Sequence, residues 1–157
     1  IAALEEKFNV TIITQNIDDL HERAGSKHVI HLHGEIFKMR SEKNDLEFFD
    51  IKNDIKIGNR AEDGGQLRPH IVWFGEAVPM FEEAMHVTTE AEIFVVMGTS
   101  LIVHPAAGLL QYAPYGIPKF VVDKKIPLTG NINNLFTIEK PATKGIEELK
   151  NYLNRLN

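Results

Sequence analysis

The run Ala91-Glu92-Ile93-Phe94-Val95-Val96-Met97 stops at Gly98-Thr99-Ser100 and gives way to helical spacing from Pro105 to Tyr112. No other feature constrains the fold as strongly. A short, nearly continuous apolar run ended by a turn is what a strand buried on both faces looks like, and a helix directly after it suits a parallel crossover. The pattern recurs. Asn9 to Thr14 is a β-branched run, Asp18 to Ala24 has helical spacing that ends at Gly25, and Val29 to Leu32 supplies a second strand, together a βαβ unit. Pro118 to Val122 and Leu135 to Ile138 read as further strands. A closing amphipathic helix from Lys144 to Leu156 places Ile146, Leu149, Leu153 and Leu156 on one side. This alternation predicts an α/β chain built on a parallel sheet with helices on both faces. Ile1 to Lys7 reads as the tail of an amphipathic helix whose beginning lies upstream.

Between Phe37 and Arg68 the pattern changes to short-range polar sequence with turn signals at Asn44-Asp45, Asn53-Asp54, Gly58-Asn59 and Asp63-Gly64-Gly65. We read residues 37–68 as a small inserted module and residues 1–36 with 69–157 as the main domain. The apolar anchors of the module are Phe37, Phe48, Phe49, Ile51, Ile55 and Ile57, enough to dock against a larger body but not to fold alone.

Length and charge narrow the function classes. At 157 residues with a net charge of -5, the chain suits one domain and lacks the clustered cations that bulk nucleic acid requires. It contains no cysteine, which excludes disulfides, thiolate zinc sites and a cysteine nucleophile. No apolar run reaches the ~20 residues of a membrane helix. A soluble, cytoplasmic protein with neither membrane nor nucleic-acid partners is the expectation.

Four constellations could carry chemistry. Thr14-Gln15-Asn16-Ile17-Asp18 lies at the carboxyl end of the first strand, where open α/β sheets bind ligands, although Asn16 or Asp18 could equally cap the next helix. In His31-Leu32-His33-Gly34, alternation on a strand would turn both histidines to one side. That pair could hold a metal beside Glu35, or one histidine could be a general base, or both could be ordinary structural residues. Arg68 to Glu76 is an extended aromatic stretch that is either core or, through Trp73 and Phe74, the wall of a groove whose backbone pairs with an extended peptide. Gly98-Thr99-Ser100 offers hydroxyls suited to ribose or phosphate oxygens, as many strand-to-helix turns do.

Taken in order, these segments closely resemble the sirtuin family over nearly the whole chain. The block Thr14-Gln15-Asn16-Ile17-Asp18-Asp19-Leu20-His21, Arg23-Ala24-Gly25 and His31-Leu32-His33-Gly34 is similar to the family's nicotinamide-ribose and catalytic-histidine region. Phe74-Gly75-Glu76 resembles the start of its substrate groove. Gly98-Thr99-Ser100 with Val103, Pro105, Ala106 and Ala107 resembles its adenosine-ribose turn. The wording of Arg68 to Glu76 is most similar to bacterial members near the desuccinylase branch. The resemblance implies a Rossmann-like NAD-binding domain and NAD-dependent removal of acyl groups, acetyl or longer and acidic, from protein lysines, with release of nicotinamide and O-acyl-ADP-ribose. His33 would be the catalytic base. Gln15, Asn16, Asp18, Gly98, Thr99, Ser100, Asp123 and Ala142 would bind the cofactor. Val72, Phe74, Gly75 and Glu76 would hold the acyl-lysine, and His31 would be a strand residue.

The chain also departs from that family. Its glycine-rich phosphate loop would lie before Ile1, so this chain alone should bind NAD poorly. The module lacks the family's zinc cysteines, and Ser41 stands about where the first would be, so no metal is expected and apolar docking should hold the module in place. Asp123 stands where many relatives have Asn, and a carboxylate can accept both ribose hydroxyls. Two alternatives remain at this stage: a non-catalytic acyl-peptide or nucleotide-binding module, and an ADP-ribosyltransferase.

Overall fold

The structure is a computed structural model that describes residues 1–155. Residues 2–80 form one compact unit and residues from 81 onward the other. Leu156, assigned above to the apolar side of the last helix, lies outside the described residues.

The second unit carries the parallel sheet. Helix α2 (Phe81–Thr89) precedes β6 (Phe94–Met97). A short 3-10 turn (Ala106–Gly108) and α3 (Leu109–Tyr112) then lead to β7 (Lys119–Asp123), β8 (Leu135–Glu139) and α4 (Ala142–Leu153). The strands lie in the order β6-β7-β8, all parallel. Only the middle strand is fully enclosed: Lys119 to Val122 are all buried, whereas Val95 on β6 and Phe136 on β8 are exposed. The prediction that the 91–97 run is buried on both faces holds on one face only: Val96 is buried with Phe94 packed beside it in the core, while Val95 between them is exposed. Alternation along β7 splits its burial between two sides. Val121 clusters with Val96 and Leu110, while Phe120 stacks on Phe136 at 5.3 Å and meets Tyr152 of α4 at 5.8 Å. Gly145 of α4 lies so close to Val122 that an added Cβ would overlap its side chain. Lys119 is 2% exposed, and its ammonium donates to the carbonyls of Pro114 (2.6 Å), Tyr115 (3.1 Å) and Ile117 (3.2 Å), which supplies the partners a buried charge requires.

The first unit has two small sheets. A 3-10 helix (Ala2–Glu6), with none of its residues buried, replaces the predicted amphipathic tail. Strands β1 (Ile12–Thr14) and β2 (Val29–His31) pair in parallel around α1 (Leu20–Arg23), and Gly25 stops the helix with φ +96°. Next come β3 (Gly34–Ser41), β4 (Phe48–Asp50) and β5 (Leu67–Ile71), an antiparallel sheet in the order β4-β3-β5.

The antiparallel sheet was not foreseen, and the predicted apolar anchors are largely open to solvent. Phe37, Phe48 and Phe49 are all exposed and Ile57 is fully so, while Ile51 and Ile55 are half-buried. Polar contacts join its segments. The Ser41 hydroxyl, 5% exposed, donates to Asp63 Oδ1 at 2.8 Å, and the same oxygen accepts the Gly65 N–H at 2.8 Å. Both donors hold the Asp63 carboxyl below its ordinary value, the Gly65 N–H most strongly. Gly65 has no room for a Cβ, which would overlap Ser41 Oγ.

Candidate functional site

Parallel strands end together, so polar residues just past β1 and β2 share one edge. Thr14 closes β1, and Gln15 and Asn16 follow it. His31 closes β2, and Leu32-His33 forms a turn before β3. The two histidines are therefore not alternating neighbours on one strand, and strand alternation does not govern which way they face. His31 is 8% exposed, with Nε2 2.7 Å from Glu22 Oε1 and Nδ1 3.4 Å from the Asn16 carbonyl. Burial pushes the Glu22 carboxyl up, but its hydrogen bond and charge interaction with His31 outweigh that and leave it below its ordinary value. His31 is thereby engaged within the protein. Among the described residues, no group of three His, Cys, Asp or Glu is placed to hold a metal ion.

His33 differs. It is half-buried, and its Nδ1 lies 3.0 Å from the Gln15 carbonyl oxygen. A carbonyl can only accept, so Nδ1 carries the proton. In the neutral ring this leaves the lone pair on Nε2, the tautomer a general base needs. The His33 carbonyl accepts the Val72 N–H at 2.9 Å, which ties the predicted base directly to the predicted acyl-lysine segment. The loop from β1, the β2–β3 turn and the end of β5 are thus joined through one residue. Asp18 lies apart from these contacts: its Oδ1 accepts the Leu20 N–H at 3.1 Å at the start of α1, a form of the capping role. Asn16 is exposed, and its N–H donates to Thr14 Oγ1 at 3.1 Å.

The stretch predicted as extended from Arg68 to Glu76 ends as a strand at Ile71. A tight turn follows, in which the Glu76 N–H donates to the Trp73 carbonyl at 3.0 Å and Gly75 takes φ +89°, the left-handed position such a turn requires. Trp73 and Phe74 are exposed, Phe74 fully, which removes the core reading. Sequence reasoning missed what holds this turn. Arg68 grips the Glu76 carboxylate with both terminal nitrogens, at 2.5 and 3.2 Å, and Arg40 reaches it at 3.4 Å. The Arg68 hydrogen bond and then the Trp73 N–H hold the Glu76 carboxyl down at about 2. The eight-residue separation of Arg68 and Glu76 was the available signal, but only the turn makes it a contact. On the same sheet His70 stacks on Phe48 at 4.4 Å, and burial, reinforced by the nearby Arg40 charge, pushes its pKa below the ordinary histidine value.

The remaining predicted residues belong to the second unit. Gly98-Thr99-Ser100 follows β6, Asp123 ends β7, and Ala142 opens α4 just after β8, so all five sit at the carboxyl edge of one parallel sheet. The Gly98 N–H bonds the Val122 carbonyl at 3.0 Å, which brings the turn beside Asp123. Gly98 has φ +66°, and the non-glycine Leu101 has φ +54° in the same turn. Asp123 Oδ1 accepts the Lys125 N–H at 3.1 Å. Hydroxyls, a carboxylate and a helix start at such an edge suit a nucleotide's ribose hydroxyls, so the donor set fits the group that the resemblance implies.

Comparison with known proteins places the chain in a family. The profile of the Sir2 family matches residues 1–105. An NAD-dependent protein deacylase of Bacteroides thetaiotaomicron is 49% identical over 98% of this chain and 68% of its own length. A protein of the same description from Helicobacter pylori is 42% identical over 95% of this chain and 65% of its own. Among solved structures, a Sir2 homologue in complex with NAD superposes with a TM-score of 0.82 at 33% identity, covering 99% of this chain and 62% of that one. A Sir2 complex with a p53 peptide and NAD+ gives a TM-score of 0.75 at 29% identity, covering 98% of this chain and 67% of that one. The chain therefore spans only part of the length of these relatives. With the family profile over most of the chain, close relatives and the Rossmann-like fold in agreement, the chain belongs to the Sir2 family, the sirtuins.

Proposed function

We propose that the protein containing this chain removes acyl groups from protein lysines in an NAD-dependent reaction, with His33 as the base. The observation that carries this reading is the bond from His33 Nδ1 to the Gln15 carbonyl, which leaves Nε2 to accept a proton. The description shared by the relatives, NAD-dependent protein deacylase, supports the same activity. In this reading Gln15, Asn16 and Asp18 serve the nicotinamide-ribose end of NAD, and Gly98, Thr99, Ser100, Asp123 and Ala142 serve the adenosine end. Bound NAD supplies the electrophilic ribose carbon from which nicotinamide departs. With the acyl-lysine carbonyl oxygen taking nicotinamide's place on that carbon, His33 Nε2 would take the proton of a ribose hydroxyl, while the Gln15 backbone carbonyl keeps the ring in the required tautomer and orientation. Val72, Phe74 and Gly75 position the acyl-lysine, with Glu76 in the same turn. A module at residues 37–68, a cytoplasmic location and a lack of nucleic-acid partners belong to the same proposal, the last supported by the net charge of -5.

The test is mass spectrometry of acetylated and succinylated lysine peptides incubated with the full-length protein, with and without NAD. NAD-dependent loss of an acyl mass, together with O-acyl-ADP-ribose, is the expected result. Intact peptides of both kinds in the presence of NAD would refute the activity.

A further inference from the structure

We propose that Glu76 is a positioning residue whose carboxylate, clasped by Arg68 and Arg40, locks the Trp73–Glu76 turn and thereby sets the acyl-lysine groove at Val72 and Phe74. This rests on the deacylase reading and refines it, because Glu76 acts on the substrate through the turn and not by touching it.

The carboxylate is already engaged inside the protein. Oε1 accepts Arg68 Nη1 at 2.5 Å, while Oε2 accepts Arg68 Nη2 at 3.2 Å, Arg40 Nη2 at 3.4 Å and the Trp73 N–H at 3.0 Å. Three donors on one oxygen leave little capacity there for a ligand. The two guanidiniums also need this anion. Arg40 and Arg68 are directly opposite each other in the β3–β5 register, a like-charge pairing that is unfavourable unless compensated, and Arg40 is only 7% exposed. Both arginines further donate to the Ile71 carbonyl, Arg68 at 3.1 Å and Arg40 at 3.5 Å. The clasp thus spans the turn from the last residue of β5 to Glu76.

What it holds is the chain between the base and the groove. Val72 bonds the His33 carbonyl, and the turn begins at the next residue. The Arg68 guanidinium also lies 3.8 Å from the Trp73 ring centre, fixing that side chain on its cationic face. Phe74, fully exposed at the turn, takes its direction from the backbone alone. Because the Glu76 carboxyl is held at about 2, the clasp stays charged at any pH suitable for assay.

The test compares wild type, Glu76→Gln and Arg68→Lys in the full-length protein. It uses fluorescence anisotropy with labelled acylated and unacylated peptides, NAD affinity, and steady-state kinetics. Glu76→Gln should weaken acyl-peptide binding and raise the peptide KM by about tenfold, with a much smaller change in kcat and unchanged NAD affinity. Arg68→Lys keeps the charge but loses the planar fork, so it should behave similarly, and it carries the test if Glu76→Gln does not fold. Wild-type affinity in the variant that folds would overturn the positioning role while leaving the deacylase reading intact. A wild-type protein that binds no acylated peptide would overturn both.

Discussion

The β6-β7-β8 sheet and the β4-β3-β5 sheet have equal strand number and opposite chemistry. The first has a dry centre: Phe120, Val121 and Val122 are each at most 1% exposed and meet apolar partners on both sides. The second leaves Phe37, Phe48 and Phe49 exposed and is tied by Ser41–Asp63 and the Arg40–Glu76–Arg68 cluster, with Lys38–Glu35 running along β3 itself. The difference teaches where each kind of stability resides. Apolar burial is non-directional and scales with area, so it makes a scaffold, whereas charge-assisted hydrogen bonds depend on geometry, so they can hold a turn in one orientation.

Substitutions can break or sharpen this contrast. Phe120→Ala should have the largest effect, a loss of about 3–5 kcal/mol in denaturant unfolding, because it opens a cavity in the dry sheet. A loss under about 1 kcal/mol would mean that this sheet does not depend on its core. Ser41→Ala should lower the Tm by roughly 2–4 °C, the size of one net hydrogen bond in a chain of this length. That deficit should also depend on pH. The Asp63 carboxyl is lowered in the folded state, so its contribution is complete above the ordinary value of 3.8 and is lost as the pH falls through the lower folded value. The gap between variant and wild type should therefore narrow in acid, and a gap independent of pH would detach Ser41 from Asp63. Phe37→Ser should have the smallest effect, within about 0.5 kcal/mol, as for an exposed side chain. A large loss would restore apolar docking of the module.

The same contrast explains what could be read from the sequence. The runs Val29 to Leu32 and Pro118 to Val122 announced strands, found at Val29–His31 and Lys119–Asp123, because burial in a parallel sheet writes a β-branched run. Strand β3 was concealed because Glu35, Lys38 and Arg40 look like loop residues until their partners are known. Helix α2 was missed because its second half, Val87-Thr88-Thr89, is β-branched, and Thr88 fits only by bonding back to the Ala84 carbonyl at 2.7 Å. At the site, residue types were legible and their relations were not. By spacing alone His33 was one of two equivalent histidines; the resemblance singled it out, and the turn after His31 with the Gln15 carbonyl on Nδ1 supplies the geometry. Glu76 was a groove residue by resemblance, and its two arginines, 8 and 36 positions away, left no local pattern.

The most direct test of the central claim is the NAD-dependent deacylation rate of His33→Ala in the full-length protein, measured beside its Tm and acyl-peptide affinity. Loss of the base should lower the rate by on the order of a hundredfold or more while fold and peptide binding are retained. A folded His33→Ala variant that still deacylates within about tenfold of wild type would contradict the assignment of His33 as the base.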